Sequence, residues 1–275
     1  MQTPAMPQQD IRDTIFASIS DRRYTAHILA ERAGVLAGTA RLGDQLASLG
    51  ITAEILGKDG EAIAAGATVA KLTGTPKQIA MAEEVAIGLL AKPSGIATAA
   101  RRAVELAGPG LRIVSGAWKK MPPEIKWVVR EAVAAGGAAF RIVDAPFLYL
   151  DKNFVRMLGG VEATLKAVAD QDNKLKCIQI KGRTAPVADE AIVAARCGAD
   201  ILMIDTGELA DVAAAGAALA AAGLRDKVRL AFAKGIRLED IPALRGQGID
   251  ILDIGASIVD APLLDMKLDV SEEAE

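Results

Sequence analysis

The chain has 275 residues, of which 51% are hydrophobic and 3% aromatic, enough for one large domain or for a small domain followed by a barrel. Its formal net charge of −3 and its pI of about 5.5 lack the basic footprint of a nucleic-acid-binding protein. No apolar run approaches the roughly 20 residues that span a bilayer, and the first ten residues have no apolar signal core, so we expect a cytoplasmic protein without membrane or nucleic-acid partners.

The first hundred residues are predicted to fold as a small sandwich rich in β-structure. Eight glycines divide Ala33–Thr75 into short pieces, and two of these, Ala53–Leu56 and Thr68–Leu72, have the character of strands. Helices are predicted over Pro76–Leu90 and Ser94–Ala107.

In the second half of the chain, short β-rich runs alternate with helical stretches. The predicted strands are Arg112–Gly116, Phe140–Asp144, Cys177–Lys181, Ile201–Asp205, Val228–Ala233 and Ile251–Ala256. The last four begin 24, 27 and 23 residues apart, with helices predicted over Ala185–Arg196 and Leu209–Ala222. Because parallel strands need crossover connections of this length, this half predicts a βα barrel or an open doubly wound sheet.

Chemistry in such folds lies at the carboxyl ends of the parallel strands. Gly235 and Gly255 follow or end the last two predicted strands, where backbone amides can approach an anion and the next helix adds a favourable dipole. Lys234 adds a positive charge, and Ala256 and Ser257 continue the second turn. We interpret these strand ends as a phosphate site, and the alternative is that both glycines are ordinary turn residues.

A carboxylate, Asp205, ends another predicted strand. It suits Mg²⁺ that is completed by substrate phosphates, and it equally suits capping of the helix that follows Thr206. The single histidine, His27, lies in the first domain, so general acid–base chemistry would fall to Asp, Glu or Lys.

A cationic cluster follows the first strand of the second half. Two adjacent prolines, Pro122 and Pro123, exclude a helix interior and place the cluster on a loop or a helix start. A diphosphate or a carboxylate ligand would suit the cluster, and a solvated basic face is the alternative. The cations are Lys119, Lys120, Lys126 and Arg130.

Several runs together resemble the quinolinate phosphoribosyltransferase family (carboxylating nicotinate-nucleotide pyrophosphorylases) over about residues 12–270. The most specific run is Ser94-Gly95-Ile96-Ala97-Thr98 after an acidic helix, and the others are Ala30–Thr39, Ala132–Arg141, Ile201–Asp205 and Ile249–Ser257. The resemblance implies an α/β fold with an N-terminal α/β sandwich over residues 1–108 and a C-terminal open parallel βα barrel over residues 109–275. The last residues of the chain are candidates for packing on the first domain.

The same resemblance implies the ligands and the assembly. The family uses phosphoribosyl pyrophosphate with Mg²⁺ and pairs head to tail, so this chain would bind that compound or another phosphorylated small molecule and form a homodimer or higher homo-oligomer. Gly235, Gly255 and Ser257 would hold the 5′-phosphate of the ribose.

The family's pyrophosphate-binding positions fall on residues of mixed character. Its arginine- and lysine-rich run falls on Lys119, Lys120 and Lys126, which keep positive charge but lack guanidinium forks. Its histidine–arginine pair falls on Phe140 and Arg141, and we expect Arg141 to help neutralise the departing pyrophosphate.

A second basic run of the family falls on Asp151, Lys152 and Asn153, so that one lysine becomes an acid. We expect Lys152 and Asn153 to contribute to ligand binding at this position.

The metal and acid-binding positions differ most. The family's metal-binding glutamates fall on Gln179 and Ala231, while the aspartate is kept as Asp205. The arginine that reaches the partner subunit's substrate falls on Glu84, where a carboxylate would repel a carboxylate ligand by several kcal/mol at an intermediate dielectric.

Two functions follow from this pattern. The first is a phosphoribosyltransferase that acts on an aromatic nitrogen ring other than quinolinate. The second is a relative that binds a phosphorylated ligand without catalysis. Gln179 and Ala231 favour the second function, whereas Lys119, Lys120, Arg141 and Asp205 favour the first. A third alternative, a barrel enzyme of another class that uses a phosphorylated substrate, rests on fold analogy alone.

Overall fold

The structure is a computed structural model that describes residues 10–273. Residue contacts divide the chain into two units, one comprising residues up to Thr98 together with those from Pro262, and the other comprising Ala99–Ala261. The domain limits expected from the sequence stay a prediction. Among the described residues, none of the helices combines the length and the apolar character that a membrane span requires.

The described residues up to position 107 contain three α-helices and five strands. The helices are α1 (Ile11–Ile15), α2 (Thr39–Ser48) and α3 (Pro76–Ala107). The strands are β1 (Tyr24–Ala30), β2 (Gly34–Val35), β3 (Thr52–Ile55), β4 (Ala62–Ile63) and β5 (Thr68–Gly74).

The remainder of the chain alternates strands and helices. Its strands are β6 (Arg112–Val114), β7 (Phe147–Leu150), β8 (Leu175–Ile180), β9 (Ile201–Ile204), β10 (Arg229–Ala233), β11 (Ile251–Asp253) and β12 (Met266–Glu273). Its helices are α4 (Lys126–Ala135), α5 (Lys152–Met157), α6 (Val161–Lys166), α7 (Val187–Arg196), α8 (Leu209–Ala221), α9 (Ile241–Leu244) and α10 (Ala256–Val259).

The first unit is an α/β sandwich. Its four-stranded sheet has the order β12-β1-β5-β3, and its neighbouring strands are antiparallel. Leu42 and Leu46 of α2 and Ala82 and Leu90 of α3 belong to one buried cluster with Ile28 of β1. The apolar spacing of these helices therefore covers one face of the sheet.

The run Ser94–Thr98 has a structural role in this unit. The fully buried Ser94 hydroxyl accepts a hydrogen bond from the Ala37 amide (3.0 Å) and lies 3.3 Å from the Ala37 carbonyl, to which it donates. Thr98 Oγ1 accepts from the Val35 amide (2.9 Å) and donates to the Ser94 carbonyl (2.7 Å). A Cβ on Gly95 would lie 2.1 Å from the Pro262 carbonyl oxygen, so only glycine fits there. The run therefore clamps the backbone of residues 35–37 to α3.

The expectation of two helices over residues 76–107 was wrong, because α3 continues through Pro93. Proline removes one amide donor from the helix interior. The Ala91 carbonyl, two residues before the proline, also accepts a hydrogen bond from the Leu264 amide (3.0 Å), so this stretch of α3 is joined to the segment that precedes β12.

The second unit contains a six-stranded parallel sheet with the order β6-β11-β10-β9-β8-β7. Because the edge strands β6 and β7 do not pair with each other, the barrel is open, as predicted. The four regularly spaced strands and both helices predicted in this half are confirmed within a few residues, as β8–β11, α7 and α8.

The predicted strand Phe140–Asp144 was wrong. Ala139 makes only an isolated parallel bridge to Val114, and the strand lies instead at Phe147–Leu150. Ile142 and Val143 are consecutive and both buried in the barrel interior, a pattern that a two-residue strand period does not produce.

Prediction on Ser94. We expect Ser94→Ala to lower the free energy of unfolding by about 1–3 kcal/mol, because the amide and carbonyl of Ala37 lose a buried partner. Urea denaturation measures this change. The matched control is Ser48→Ala, which removes an exposed hydroxyl from the surface of α2 and should change stability by less than about 0.5 kcal/mol. Equal losses in the two variants would contradict the clamp.

Candidate functional site

A cavity of about 670 Å³ lies at the carboxyl ends of the parallel strands. Ten of the residues predicted for the site line it, namely Lys119, Lys120, Lys152, Gln179, Asp205, Lys234, Gly235, Gly255, Ala256 and Ser257. The common position follows from the parallel sheet, whose strands all end at the same edge. The roles of these residues in binding stay predictions.

Four other predicted residues lie elsewhere. Arg141 lines a neighbouring pocket, and Lys126 and Asn153 are the first residue of α4 and the second residue of α5. Glu84 lies on α3 in the first unit, is exposed, and forms an ion pair with Arg12. Its expected contact with a partner subunit's substrate stays a prediction.

Asp205 is held by neighbouring side chains. Lys181 Nζ lies 2.8 Å from Asp205 Oδ2 and donates to the Asp205 carbonyl (2.7 Å). The Gln179 amide also donates to Oδ2, and its own Oε1 accepts from the Lys152 amide at the start of α5 (2.7 Å). An amide at position 179 donates and accepts at once, which a carboxylate at this position would not do.

The alternative role of Asp205 as a helix cap is wrong. The residue before α8 is Glu208, whose side chain makes no capping hydrogen bond, and its amide donates to Thr206 Oγ1 (3.2 Å). The Asp205 carboxylate is directed instead toward Gln179 and Lys181.

The donor set at Asp205 does not fit a bound Mg²⁺. Its Oδ2 already contacts the ammonium of Lys181 and accepts from the amide of Gln179. The nearest carboxylate at the same level of the sheet, Asp253, lies on β11, which β10 separates from β9. The two carboxylates are therefore two strand spacings of about 4.8 Å apart. Mg²⁺ requires near-ideal octahedral oxygen ligands at about 2.1 Å. Within residues 10–273, no group of three His, Cys, Asp or Glu side chains is arranged to hold a metal ion. Ala231, at a position where the family resemblance places a metal-binding glutamate, is a fully buried core residue.

The turn after β10 has an unusual backbone. Lys234 has φ +85°, and the following Gly235 has φ +76°. The left-handed conformation is unfavourable for a lysine by roughly 1–2 kcal/mol, and residues in such conformations cluster at functional sites. Lys234 Nζ donates to the Thr206 carbonyl (2.9 Å), which ties the turn to the end of β9.

The second turn of the expected phosphate site is also ordered. Gly255 precedes α10 with φ −89° and ψ −98°, and Ser257 Oγ donates to the Ile236 carbonyl (2.9 Å). The two turns are therefore joined by a side chain. Residues of both turns line the cavity, and Lys234 adds a positive charge there.

A second pocket of about 640 Å³ adjoins the first and shares Gly116, Lys119, Tyr149 and Asp253 with it. Aromatic side chains form much of its lining, and they are Trp118, Trp127, Phe140, Phe147 and Tyr149. A pocket with these walls can stack on a planar ring.

Three cations accompany these rings. The Arg130 guanidinium carbon lies 3.5 Å from the centroid of the Trp118 ring and 5.5 Å from that of Trp127. Arg141 lies 5.2 Å from the Phe147 ring, and Lys119 Nζ lies 5.2 Å from the Tyr149 ring. None of the three cations forms a salt bridge with a described acidic side chain, and Arg130 Nε is buried without a hydrogen-bond partner. The pocket thus offers positive charge beside flat apolar surfaces, which suits an aromatic acid.

Asp253 ends β11 where the two pockets meet. Its carboxylate accepts a hydrogen bond from the Gly116 amide (2.9 Å). Burial raises the pKa of Asp253 above its ordinary value, although the Gly116 hydrogen bond and Lys119 oppose the rise. Burial likewise raises the pKa of Tyr149, so its hydroxyl stays protonated at neutral pH.

Sequence reasoning placed Lys181 at the end of a predicted strand without giving it a role, and it missed Asp253 and the aromatic pocket. Lys181 and Asp253 were detectable, because they continue the inward-facing series Cys177–Gln179 and Ile251 in steps of two. The aromatic pocket had a weaker signal. Its rings come from four separate segments, and only Trp118 and Trp127 stood near the cationic cluster in the sequence.

Both halves of the chain match domain models of one family. Residues 10–94 match the N-terminal domain of quinolinate phosphoribosyl transferase, and residues 96–269 match its C-terminal domain. A probable carboxylating nicotinate-nucleotide pyrophosphorylase from Archaeoglobus fulgidus is 31% identical, over 96% of this chain and 99% of that protein. The carboxylating nicotinate-nucleotide pyrophosphorylase of Homo sapiens is 29% identical, over 88% of this chain and 81% of that protein.

Solved structures share the fold. The nicotinate-nucleotide pyrophosphorylase from Francisella tularensis superposes with a TM-score of 0.81 at 23% identity, over 97% of this chain and 92% of that chain. The enzyme of the same name from Pyrococcus furiosus gives a TM-score of 0.81 at 18% identity, over 99% of this chain and 79% of that chain. The pairing of a sandwich with an open barrel is therefore the architecture of those proteins too.

Prediction on Asp253. Because folding raises the pKa of this carboxyl, the native state binds its proton more tightly, and the resulting stability is present below the unfolded pKa of about 3.9 and lost as pH rises through the folded pKa. We therefore expect Asp253→Asn to raise the free energy of unfolding at about pH 8 and to lose this advantage below about pH 4. The asparagine oxygen still accepts from Gly116.

Urea denaturation across this pH range measures the effect. Asp226→Asn, which alters an exposed carboxylate, serves as the control and should stay within about 0.5 kcal/mol of the wild type at every pH. A stability gain for Asp253→Asn that does not vary with pH would contradict the assignment.

Proposed function

Because the chain belongs to the quinolinate phosphoribosyl transferase family, we propose that it transfers a phosphoribosyl group from phosphoribosyl pyrophosphate to the ring nitrogen of an aromatic acid other than quinolinate. The observation that carries the proposal is the shared wall of the two pockets. One is lined by cations and two glycine turns, the other by aromatic rings, and they meet at Lys119, Tyr149 and Asp253.

In this reaction the ring nitrogen forms a bond to C1 of the ribose while the bond from C1 to the pyrophosphate oxygen breaks. Pyrophosphate leaves with the bonding electron pair. The centre is oxocarbenium-like on the way, so the protein acts mainly by positioning both substrates and stabilising charge. No histidine is required.

The residues at hand supply those tasks. Gly235, Gly255 and Ser257 would hold the 5′-phosphate, since their turns line the same cavity as the cations that follow β6. Lys119 and Lys120 would neutralise the departing pyrophosphate. The carboxylate of Asp253 lies between the pockets, where positive charge develops on the ribose.

An acceptor other than quinolinate is supported by the second pocket. Phe140 lines the pocket at a position where the family resemblance places a histidine. Asp253 opens onto the same space and would repel a second carboxylate on the ring. Arg130 can still bind one carboxylate, so we expect an aromatic monocarboxylate.

Binding without catalysis is the second candidate. The pairing of Asp205 with Lys181 and Gln179 favours it, since that carboxylate is not free to hold a metal. Turnover distinguishes the two. Release of pyrophosphate upon adding phosphoribosyl pyrophosphate and a ring acid requires an enzyme, whereas binding of phosphoribosyl pyrophosphate with no turnover for any acid would leave the binding protein.

A homodimer or higher homo-oligomer is proposed on the family resemblance alone. Analytical ultracentrifugation of the full chain measures its mass in solution. A purely monomeric species at micromolar concentration would overturn this part of the proposal.

Prediction on the acceptor. With phosphoribosyl pyrophosphate present, we expect kcat/KM for a pyridine monocarboxylate to exceed that for quinolinate by at least about tenfold. A continuous assay of pyrophosphate release measures both. Quinolinate as the better substrate would show that the acceptor is unchanged.

Prediction on Arg130. We expect Arg130→Met to lower kcat/KM for the accepted ring acid by about 10–100-fold, since a charged hydrogen bond contributes about 1.5–3 kcal/mol. The affinity for phosphoribosyl pyrophosphate should stay within about twofold, as measured by calorimetry. Arg102→Met, which changes an exposed arginine of α3, is the control. A similar loss in both variants would contradict a specific role for Arg130.

A further inference from the structure

We propose that the cavity binds the diphosphate of its ligand without a divalent cation, and that Lys181 supplies the positive charge in place of the metal. The inference rests on the proposed function, since it concerns phosphoribosyl pyrophosphate in the same cavity. It starts from the misfit between Asp205 and a magnesium ion described above.

The first step is the position of the ammonium. Lys181 directly follows β8, and its Nζ contacts both Asp205 Oδ2 (2.8 Å) and the Asp205 carbonyl (2.7 Å). The side chains of Lys181 and Asp205 are only 19% and 21% exposed, so the pair is held in a partly desolvated place. A cation therefore already stands beside the carboxylate that a metal would use.

The second step is the charge around Asp205. Its neighbour Gln179 is neutral, so Asp205 and Lys181 together sum to zero. A magnesium ion added here would face an ammonium at a few ångströms, a repulsion of several kcal/mol at an effective dielectric of about 20. A cluster of two or three carboxylates would need a metal ion to balance its negative charge, whereas Asp205, Lys181 and Gln179 together carry no net charge.

The third step concerns the one N–H donor of Lys181 that Asp205 does not use. An ammonium has three N–H donors, and the contacts with Asp205 use two of them. The third can reach a phosphate oxygen. Lys181 lines a cavity of about 530 Å³ that shares Lys152 and Gln179 with the main one, so a diphosphate at the boundary would meet both lysines.

The remaining cations of the main cavity complete the neutralisation. Lys119, Lys120 and Lys234 line it together with Lys152, and so does Arg237, which is paired with Asp240. Of its three carboxylates, Asp151 caps α5 by accepting from the Asn153 amide (2.7 Å), and Asp205 is paired with Lys181. Lysine binds phosphate as a compact point charge, so several lysines replace the charge of one divalent ion.

The test is a calorimetric titration of the full chain with phosphoribosyl pyrophosphate, once with excess EDTA and once with millimolar Mg²⁺. We expect the two Kd values to agree within about threefold. Binding that appears only with Mg²⁺ would overturn the inference while leaving the proposed function intact. Absence of binding under both conditions would overturn the proposed function itself.

A variant tests the role of Lys181 directly. We expect Lys181→Met to weaken binding of phosphoribosyl pyrophosphate in EDTA by at least about tenfold, through loss of one charged hydrogen bond. Lys227→Met, an exposed lysine between α8 and β10, is the matched control and should bind as the wild type does. Wild-type affinity of Lys181→Met in EDTA would overturn the assignment to this residue.

A direct metal measurement keeps the inference testable if Lys181→Met fails to fold. Mn²⁺ titrated into the wild-type chain, first without ligand and then with phosphoribosyl pyrophosphate, and followed by electron paramagnetic resonance should show no bound ion that depends on Asp205. Stoichiometric Mn²⁺ binding that Asp205→Asn abolishes would show that the site takes a metal after all.

Discussion

In a parallel sheet, alternate residues face the same side and every strand ends at the same edge, and the functional part of this protein depends on that constraint. The strand register sets Ala233 beside Asp253, and the inward series of β8 and β9 reach the same level at Lys181 and Asp205. The small side chain of Ala233 stands between the two acidic residues. Space for a ligand therefore opens above Ala233, with Asp205 on one side and Asp253 on the other.

The regular part of the fold was predictable from the sequence. The strands β8–β11 recur with a nearly constant spacing, and each is a short, largely apolar run that ends in a polar residue or is followed by one. The segment from Phe140 to Leu150 was not predictable in the same way. Two apolar runs there compete for one strand, and only packing of Ile142 and Val143 inside the barrel decides between them. The predicted helix break at Pro93 was wrong for a related reason, because a local rule for helix ends ignores contacts with distant segments.

The part of the candidate site that would bind its ligand through backbone amides was predictable from the sequence. Gly235 and Gly255 were identified from their place after a strand, and the structure brings both to one cavity. Side-chain partnerships were harder to predict. The resemblance suggested a metal at Asp205, yet which partner a carboxylate takes depends on its neighbours in space, here Gln179 and Lys181. The run Ser94–Thr98 shows the reverse case, since its strong family likeness reflects a backbone clamp in the other unit and not chemistry.

The left-handed turn at Lys234 and Gly235 has a thermodynamic consequence for ligand binding. A loop that must be ordered by its ligand loses conformational entropy at the moment of binding, which lowers affinity. In this protein the turn is already ordered in the folded chain. The free-energy cost of ordering it therefore lowers the stability of the barrel and does not weaken binding of the ligand. Stability and affinity are thereby set against each other at one position. A glycine in place of Lys234 would relieve the backbone strain, but it would also remove the bond to the Thr206 carbonyl and leave a more mobile turn at the phosphate site.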